Sequence, residues 1–381
     1  MTQQANKNAG RLEQAARVVI KIGSSLLVDS NSGKLNREWL HSLAAEIVRL
    51  RRRGQQVLLV SSGAIALGRP YLGLRKDQRL LEENQAAAAA GQVILAHAYQ
   101  EVFDSLGVKV AQVLLTPEDT ENRRRYLNAR DTLNTLLKLE AIPVINENDT
   151  VATQEIRYGD NDRLGARVAE MVSADALVLL SDVDGLYSAD PGEWDNAELI
   201  PEVTAITPEI EAMAGAARTE FGSGGMATKV AAARMCMSSG CATVIAAGDV
   251  MDPLQRIEDG GTCTWFLPNS TPLAARKQWI AGSLTPSGSV VIDDGAEKAL
   301  LQGKSLLSVG VVSISGQFGR GDAVIIKNKA GRDLAHGLVA YDSDEASALL
   351  GKQSESIEEV LGYRGRSELI HRDNLVLLVE K

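Results

Sequence analysis

Acidic and amide side chains crowd the segment from Ile145 to Ala166, which contains five carboxylates and four carboxamides. A carboxylate buried without a partner costs several kcal/mol, so packing alone does not explain such residues directly after the apolar run 142–145. Ligands of open α/β sheets bind beyond the carboxyl ends of the strands, where residues 146–149 are expected to lie. We therefore predict a ligand site here. The simpler alternative is that residues 160–162 only cap the helical pattern that follows.

Two lysines stand beside glycine-containing turns that suit an anion. Lys21 lies near the end of the apolar segment 17–22 and is followed by one glycine and two serines, a favourable setting for a phosphate. The alternative is a lysine that reaches solvent from an edge strand. Lys229 ends the segment 222–229, GSGGMATK, which opens a helical pattern, so bare amides, the helix dipole and a cation converge. The spacing is not that of a Walker A loop.

Two more predicted strands also end in small or polar residues. Residues 61–68, SSGAIALG, allow close approach of backbone amides to an anion, and Ser62 adds a hydroxyl. Close helix packing is the alternative for such small residues. Residues 181–187, SDVDGLY, follow another apolar strand, although Asp184 and Gly185 also form an ordinary turn signal. The residues alone therefore predict transfer of an anionic group at an acidic edge with two lysines.

Alternating strands and helices must position these residues. The predicted strands are 17–22, 56–60, 109–115, 142–145, 176–180 and 243–246. The predicted helices are 36–53 with Asn36 as cap, 82–105, one that starts at Pro117 after Thr116, and 131–140. This order predicts an α/β fold with a mostly parallel sheet sandwiched by helices.

Composition narrows the class of protein. The 381 residues, 45% of them hydrophobic, are enough for a large core and for two domains. The formal net charge of -9 gives no long-range attraction to nucleic acid or to an anionic membrane. Three cysteines without paired spacing indicate neither a disulfide framework nor a zinc site, so a reducing cytoplasm is expected. No apolar run approaches the roughly 18 residues of a membrane span, and the polar residues 1–16 predict a disordered tail without a signal sequence.

Seven motifs, in order, resemble those of the glutamate 5-kinases, which belong to the amino-acid kinases and start proline biosynthesis. They are VVIKIGSSLL at 18–27, VSSGAIALG at 60–68, YLNARDTL at 126–133, VINENDTVA at 144–152, GDNDRLGA at 159–166, SDVDGLY at 181–187 and SGGMATK at 223–229. The resemblance spans nearly the whole chain. It implies the amino-acid kinase fold and transfer of the ATP γ-phosphoryl group to the side-chain carboxylate of L-glutamate, with Mg²⁺ bridging the nucleotide phosphates.

The resemblance also implies a role for individual residues. The implied catalytic residues are Lys21 and Lys229 on the phosphoryl group and Asp162, which orients both lysines. The implied glutamate-binding residues are Ser62, Gly63, Asp149, Asn161 and Asp160, although Asp160 is equally assignable to Mg²⁺. The implied ATP-binding residues are Lys21, Gly23, Ser181, Asp182, Ser223, Gly224, Gly225, Met226, Ala227, Thr228 and Lys229. The chain departs from the family pattern at Ser181, where the family has threonine, and at Ala227, where it has a second hydroxyl.

Near Ala275 the sequence changes from alternating strand and helix patterns to shorter segments. We predict a disordered tail at 1–16, a kinase domain at 17–274, a linker at 275–287 and a second domain at 288–381. Short strand-like segments separated by glycines predict a small β-barrel there, and the residues around Gly316 to Asp322 resemble a PUA domain. From Trp279 onward, eleven Lys and Arg face fourteen Asp and Glu, which argues against RNA binding and favours a regulatory or structural role.

The family resemblance also suggests partners and leaves alternatives open. It implies ATP and L-glutamate as substrates, proline as a possible feedback inhibitor, no membrane, and a homo-oligomer, either a dimer or a tetramer. The arginines at 123–125 predict a solvated face or subunit contact, with ligand contact as the alternative. Another amino-acid kinase, acting on N-acetylglutamate, aspartate or carbamate, fits the GDND motif and the appended domain less well. A non-catalytic sensor acting with RNA does not need both lysines.

Overall fold

The computed structural model describes residues 10–29, 32–74, 80–151, 161–215, 225–282 and 285–378. The chain divides into two compact units, Met1–Pro272 and Leu273–Lys381. Along the described ranges, none of the helices combines the length and the apolar character that a bilayer-spanning segment requires.

The described residues of the first unit form ten strands. They are β1 (Arg17–Ile22), β2 (Gln56–Ser61), β3 (Val110–Leu115), β4 (Ile142–Glu147), β5 (Ala176–Ser181), β6 (Leu186–Tyr187), β7 (Leu199–Ile200), β8 (Glu202–Val203), β9 (Ala242–Ala247) and β10 (Cys263–Phe266). Eight of them form one sheet in the order β3-β4-β2-β1-β5-β9-β10-β8, and β6 pairs with β7. All neighbours in the sheet are parallel except β9 and β10. The expected mostly parallel sheet is confirmed.

Helices connect these strands. They are α1 (Arg11–Gln14), α2 (Ser24–Leu27), α3 (Arg37–Arg52), α4 (Ala64–Tyr71), α5 (Leu81–Ser105), α6 (Pro117–Glu121), α7 (Arg123–Lys138), α8 (Asn161–Val172), α9 (Pro208–Met213), α10 (Met226–Ser238) and α11 (Pro253–Glu258), and α12 (Pro272–Gly282) begins at the boundary between the units. The predicted cap of α3 is confirmed, because the Asn36 side chain accepts a hydrogen bond from the Trp39 amide at 3.3 Å.

The alternation of side chains along β1 determines which of its residues face each layer of helices. Successive side chains of a strand point to opposite faces of the sheet. Val18, Ile20 and Ile22 belong to the core cluster that contains the apolar residues of α3. Val19 belongs to the other cluster, with the apolar residues of α8 and α10. Lys21 shares the parity of Val19, so the strand itself directs this lysine towards α8 and α10.

Helices α4 and α5 pack with their backbones in contact. A Cβ atom added to Gly68 would lie 1.8 Å from the Ala87 carbonyl oxygen, and one added to Gly91 would lie 1.7 Å from the Ala64 carbonyl oxygen. Both glycines are therefore required by the close approach of the two helices. This contact explains the small side chains that the sequence places on both helices. It fixes α5 relative to the turn that leads into α4.

The second unit has its own core. Its strands are β11 (Gly288–Ile292), β12 (Leu306–Leu307), β13 (Val311–Gly316), β14 (Ala323–Asn328), β15 (Asp333–Leu338), β16 (Glu368–Ile370) and β17 (Leu375–Leu377), and its further helices are α13 (Asp294–Leu301), α14 (Ser343–Ala348) and α15 (Ile357–Leu361). The sheet order is β13-β11-β14-β15-β17, with β12 paired to β16. Val290, Val324 and Ile326 are fully buried in this unit's core.

The predicted segment boundaries are corrected at two places. The expected tail 1–16 contains helix α1, in which Leu12 is fully buried and its carbonyl accepts a hydrogen bond from Nε2 of Gln55 at 2.8 Å. A buried leucine with a satisfied carbonyl is part of the core rather than a frayed end. The expected linker 275–287 contains most of α12, because Pro272 occupies a first-turn position and the residues after it favour a helix.

Candidate active site

Two lysine ammonium groups converge on one carboxylate. Nζ of Lys21 lies 2.6 Å from Oδ1 of Asp162, and Nζ of Lys229 lies 3.2 Å from Oδ2 of the same residue. Asp162 is fully buried, and both lysine side chains are less than a tenth exposed. The structure therefore brings together the three residues for which the family resemblance implies a catalytic role, with two positive charges around one negative charge.

Three elements deliver these groups. Lys21 lies on β1, on the face of the sheet that is covered by α8 and α10. Asp162 is the second residue of α8, and Lys229 is in the first turn of α10. Gly165 lies one turn after Asp162, and a Cβ added there would meet Cβ of Lys21 at 3.5 Å. Helix α8 thus packs directly on the aliphatic stem of Lys21. Side-chain freedom of the lysine is restricted by this packing, which favours a single position of its ammonium group.

Opposing effects set the ionisation of Asp162. Burial by itself would raise the pKa of its carboxyl, but the charges of Lys21 and Lys229 and their hydrogen bonds outweigh burial and lower the pKa below its usual value. The carboxylate is therefore ionised at neutral pH. A buried triad of this kind carries one net positive charge, which is the sign needed to attract a phosphoryl group.

Thr228 adds a hydroxyl to the same carboxylate. Its Oγ1 lies 3.0 Å from Oδ2 of Asp162 and 2.8 Å from the carbonyl oxygen of Gly225. Gly225 is the N-cap of α10 and has an extended backbone. Met226 and Ala227, also assigned to ATP, are half-buried in the first turn of the helix. Ser223 and Gly224, the other residues of this loop assigned to ATP, lie outside the described residues.

Asn161 connects the strand ends on the other side of Asp162. Its Nδ2 lies 2.9 Å from the Ser61 carbonyl oxygen, 2.8 Å from Oγ of Ser62 and 2.9 Å from Oδ1 of Asn146. The NH₂ group has only two hydrogens, so these three oxygens share them. The predicted ligand residues Ser62 and Asn161 are therefore in direct contact. Both are half-buried, which leaves part of each side chain accessible.

Two further residues assigned to glutamate, Gly63 and Asp149, follow the ends of β2 and β4. Gly63 follows Ser62 with φ of 107°, a conformation that favours glycine, and it is the N-cap of α4. Asp149 is half-buried in the turn after β4 and takes part in a polar interaction within the protein. Asp160 lies outside the described residues.

The end of β5 supplies the other residues assigned to ATP. Ser181 is buried, and its Oγ donates to Oδ1 of the exposed Asp182 at 2.8 Å. The amide of Gly248 donates to the Ser181 carbonyl oxygen at 2.6 Å. Gly23, at the start of α2, lies beside β5, because a Cβ added to it would be 3.7 Å from the Leu180 carbonyl oxygen. The ends of β1, β5 and β9 thus meet at one edge.

Three residues that support the site have no individual role in the sequence analysis, although Asn146 lies within the predicted ligand segment 146–149. Asn146 is buried and bonds Asn161, as described above, and its own Nδ2 donates to Oε1 of Gln92 at 2.9 Å. Tyr99 is fully buried and its hydroxyl donates to Oγ of Ser61 at 2.9 Å. Asn146 could have been found from its position in the acidic segment. Gln92 and Tyr99 carry no local signal, because their contacts depend on how α5 crosses the sheet.

The arginine cluster at residues 123–125 lies at the start of α7. Arg125 forms ion pairs with Glu118 at 3.2 Å and Asp119 at 3.1 Å, and all three belong to α6 and α7. Arg124 and Arg125 are exposed and Arg123 is half-buried, and a solvated face or subunit contact stays a prediction for this cluster. In the described part of the chain, no group of three or more His, Cys, Asp or Glu side chains is arranged to hold a metal ion.

Comparisons with known proteins agree with this geometry. The family model described as "Amino acid kinase family" matches residues 16–247, and the model described as "PUA domain" matches residues 288–361. A glutamate 5-kinase from Paramagnetospirillum magneticum is 60% identical over 366 residues, which cover 96% of this chain and 99% of that protein. A glutamate 5-kinase from Rhodospirillum rubrum is 59% identical over 359 residues, 94% of this chain and 96% of that protein.

Similarity to solved structures is more distant. A carbamate kinase from Giardia lamblia, solved with AMP-PNP, aligns with a TM-score of 0.48 at 16% identity, covering 68% of this chain and 100% of that one. The family models and the full-length relatives are sufficient, and they show that the chain belongs to the amino acid kinase family, among the glutamate 5-kinases.

Proposed function

We propose that this chain transfers the γ-phosphoryl group of ATP to the side-chain carboxylate of L-glutamate, giving L-glutamyl 5-phosphate, the first step of proline biosynthesis. The observation that carries the proposal is the convergence of Lys21 and Lys229 on Asp162, in a chain 60% identical to a glutamate 5-kinase over nearly its full length. A non-catalytic sensor has no use for two buried ammonium groups at the same point.

The lysines supply what the chemistry needs. In phosphoryl transfer, negative charge spreads over the equatorial oxygens of the transferring group. The nucleophile is a carboxylate that is already ionised at neutral pH, so no general base is required. Catalysis then depends on positioning and on positive charge fixed in advance. We assign that charge to Lys21 and Lys229. Asp162 keeps both ammonium groups close together despite their mutual repulsion and does not itself react.

Glutamate is assigned to the edge formed by the ends of β2 and β4. Ser62 has a half-buried hydroxyl whose oxygen contacts Asn161, so its hydrogen can be donated to a substrate carboxylate. Asp149 is half-buried and follows Asn146 by three residues, and it is assigned to the α-ammonium group of the substrate. Gly63 allows close approach of the backbone. Asp160 is assigned to the same substrate or to Mg²⁺.

ATP is assigned to the ends of β1 and β5 and to the first turn of α10. Helix α10 is thirteen residues long, so its N-terminus presents free amides and a positive dipole end to the phosphates. The implied contacts are those of Gly23, Ser181, Asp182 and Thr228 together with the loop that precedes α10. The chain has no dedicated binding motif of the Walker type, so the amides and lysines must provide most of the phosphate contacts.

Mg²⁺ is expected to enter with the nucleotide. Mg²⁺ usually takes most of its ligands from phosphate oxygens and water, with one or two carboxylates from the protein. Asp162 is occupied by its two lysines, whereas Asp182 is exposed at the same edge and has oxygens available. Asp182 is therefore the described residue that best fits the ion. When bound, Mg²⁺ would neutralise charge on the phosphates.

Partners and location complete the proposal. We propose a homo-oligomer, with proline acting at or over the glutamate site, in the reducing cytoplasm, where the three buried free cysteines Cys236, Cys241 and Cys263 remain thiols. The net acidic second unit is assigned a regulatory or structural role rather than RNA binding.

An ATP-dependent acyl phosphate assay tests the proposal. The purified chain is incubated with ATP, Mg²⁺ and hydroxylamine, which traps acyl phosphates as hydroxamates, over a panel of glutamate, aspartate, N-acetylglutamate and carbamate. The proposal expects a hydroxamate with L-glutamate and much less with the other acceptors. A preference for another carboxylate, or ATP turnover without hydroxamate, would overturn it.

A further inference from the structure

The side chain of Gln92 projects from α5 onto the polar network that ends at the glutamate site. Its Oε1 accepts a hydrogen bond from Nδ2 of Asn146 at 2.9 Å. Asn146 is only 4% exposed, so water cannot replace a missing partner for its carboxamide. Gln92 itself is half-buried and lies outside the seven motifs that carry the family resemblance.

The hydrogen bonds around Asn146 fix which way its carboxamide points. Its Oδ1 accepts from the amide of Glu147 at 2.9 Å and from Nδ2 of Asn161 at 2.9 Å. Two donors aimed at one atom require an oxygen there, so the NH₂ group must face Gln92. Gln92 in turn must present its oxygen. The amides therefore form one ordered chain from Gln92 through Asn146 to Asn161, and Asn161 contacts Ser62.

Packing fixes the position of Gln92. Its neighbour Gly91 lies against the backbone of α4, where no Cβ fits. Tyr99 is two turns further along α5 on the same face, and it bonds Ser61, whose carbonyl accepts from Asn161. Helix α5 thus supports two of the residues that accept hydrogen bonds from Asn161: Gln92 bonds Asn146, and Tyr99, seven residues further along, bonds Ser61. A helix anchored at both points leaves Gln92 little freedom to move.

We propose that Gln92 is a positioning residue for the amino-acid substrate, which acts by orienting the Asn146 carboxamide and, through it, Asn161 and Ser62. The inference rests on the proposed function. Without the oxygen of Gln92, the buried NH₂ group of Asn146 loses its acceptor, and a flipped carboxamide would point a donor at the donor of Asn161. Lys21 and Lys229 are not part of this series of hydrogen bonds, so losing the oxygen of Gln92 should not affect phosphoryl transfer itself.

The test is Gln92→Met, which keeps the length of the side chain and removes the acceptor. We expect the Michaelis constant for glutamate to rise about 3- to 12-fold, the range for one net hydrogen bond. The Michaelis constant for ATP and kcat should stay within about 2-fold, the scatter expected of independent sites. The matched control is Gln100→Met, the same change at an exposed position of the same helix, which should leave every constant unchanged.

A double-mutant cycle separates positioning from a general loss of structure. In an Asn146→Ala background, adding Gln92→Met should change the glutamate constant by no more than about 2-fold, because the link is already broken. Effects that multiply, an equal rise in the ATP constant, or no change in the single variant would overturn the inference. If Gln92→Met does not fold, Gln92→Ala carries the same expectations, since alanine is the best helix former. Failure of the unsubstituted chain to phosphorylate glutamate would instead refute the proposed function, and the inference with it.

Discussion

Lys21 and Lys229 share one counterion: the two oxygens of the buried Asp162 carboxylate each contact a different ammonium group, at 2.6 and 3.2 Å. Because the three charged groups are removed from water, each depends on the others for its solvation. The arrangement keeps two positive charges together at one end of the sheet. Removing any member should therefore affect both stability and turnover, in proportions that reveal its role.

Asp162→Asn removes the counterion and nearly preserves the shape. We expect the free energy of unfolding at pH 7 to fall by about 3–5 kcal/mol, the usual cost of leaving a buried charge without its partner. Denaturant titration followed by circular dichroism measures this change. Turnover should fall as well, because the two ammonium groups then repel each other without compensation. An unchanged stability would contradict the shared-counterion role.

The same pair of proteins tests the ionisation of Asp162. Its pKa is lowered in the folded state, so the carboxylate stabilises the fold fully above the unfolded pKa of about 3.9 and loses that contribution as pH falls towards the lower folded pKa. The difference in unfolding temperature between the unsubstituted chain and Asp162→Asn should thus be constant from pH 7 to about pH 5 and shrink at lower pH. A difference that grows on acidification would reverse the sign and refute this reading.

Lys229→Ala should damage turnover far more than substrate affinity. Its ammonium group is assigned to the transferring phosphoryl group, so kcat should drop about 100- to 1,000-fold, as for loss of one preorganised donor. Steady-state kinetics with glutamate varied at saturating ATP measures both constants. Arg234→Ala, an exposed cation on the same helix, is the control and should have no effect. Equal losses in kcat and in glutamate affinity would argue against the assignment.

Asp149→Ala should have the opposite kinetic signature. If its carboxylate pairs with the α-ammonium group of glutamate, the Michaelis constant for glutamate should rise at least about 10-fold, while the constant for ATP stays near its original value. Asp104→Ala, which removes an exposed carboxylate at the end of α5, serves as the control. An unchanged glutamate constant would place the ammonium group elsewhere.

Gly91→Ala tests the contact between α4 and α5 through the sign of its effect. In a free helix, alanine is more favourable than glycine by roughly 0.5–1 kcal/mol. Here the new methyl group would collide with the Ala64 carbonyl oxygen, so the substitution should destabilise the protein by about 1–3 kcal/mol or more. Thermal unfolding measures the sign. Stabilisation would show that the helices are not in backbone contact.

Local patterns were sufficient to predict much of the fold. The strand and helix periods located β1 to β5, α3 and α5 within a residue or two, since these elements have clear apolar runs and caps. The segment expected to be a linker contains most of α12 instead, because Pro272 starts a helix just before it. Glycine and proline indicate where a helix begins or ends better than they indicate whether a helix is present.

Side-chain partners across the sheet could not be derived in the same way. Lys21 was expected at a strand end, and the parity of the strand gives its face. Its contact with Asp162 depends on the strand order, which places β1 beside both β2 and β5. The link from Gln92 to Asn146 depends further on the closeness of α4 and α5. Such contacts follow from three-dimensional packing, for which the spacing of residues along the chain contains no direct signal.

A structure of this chain with L-glutamate and a non-hydrolysable ATP analogue tests the central claim most directly. The account predicts that Nζ of Lys21 and Nζ of Lys229 both lie within about 3.2 Å of oxygens of the terminal phosphate, with the side-chain carboxylate of glutamate facing that phosphate. If either ammonium group contacts only Asp162 while the phosphate binds elsewhere, two-lysine phosphoryl transfer is contradicted.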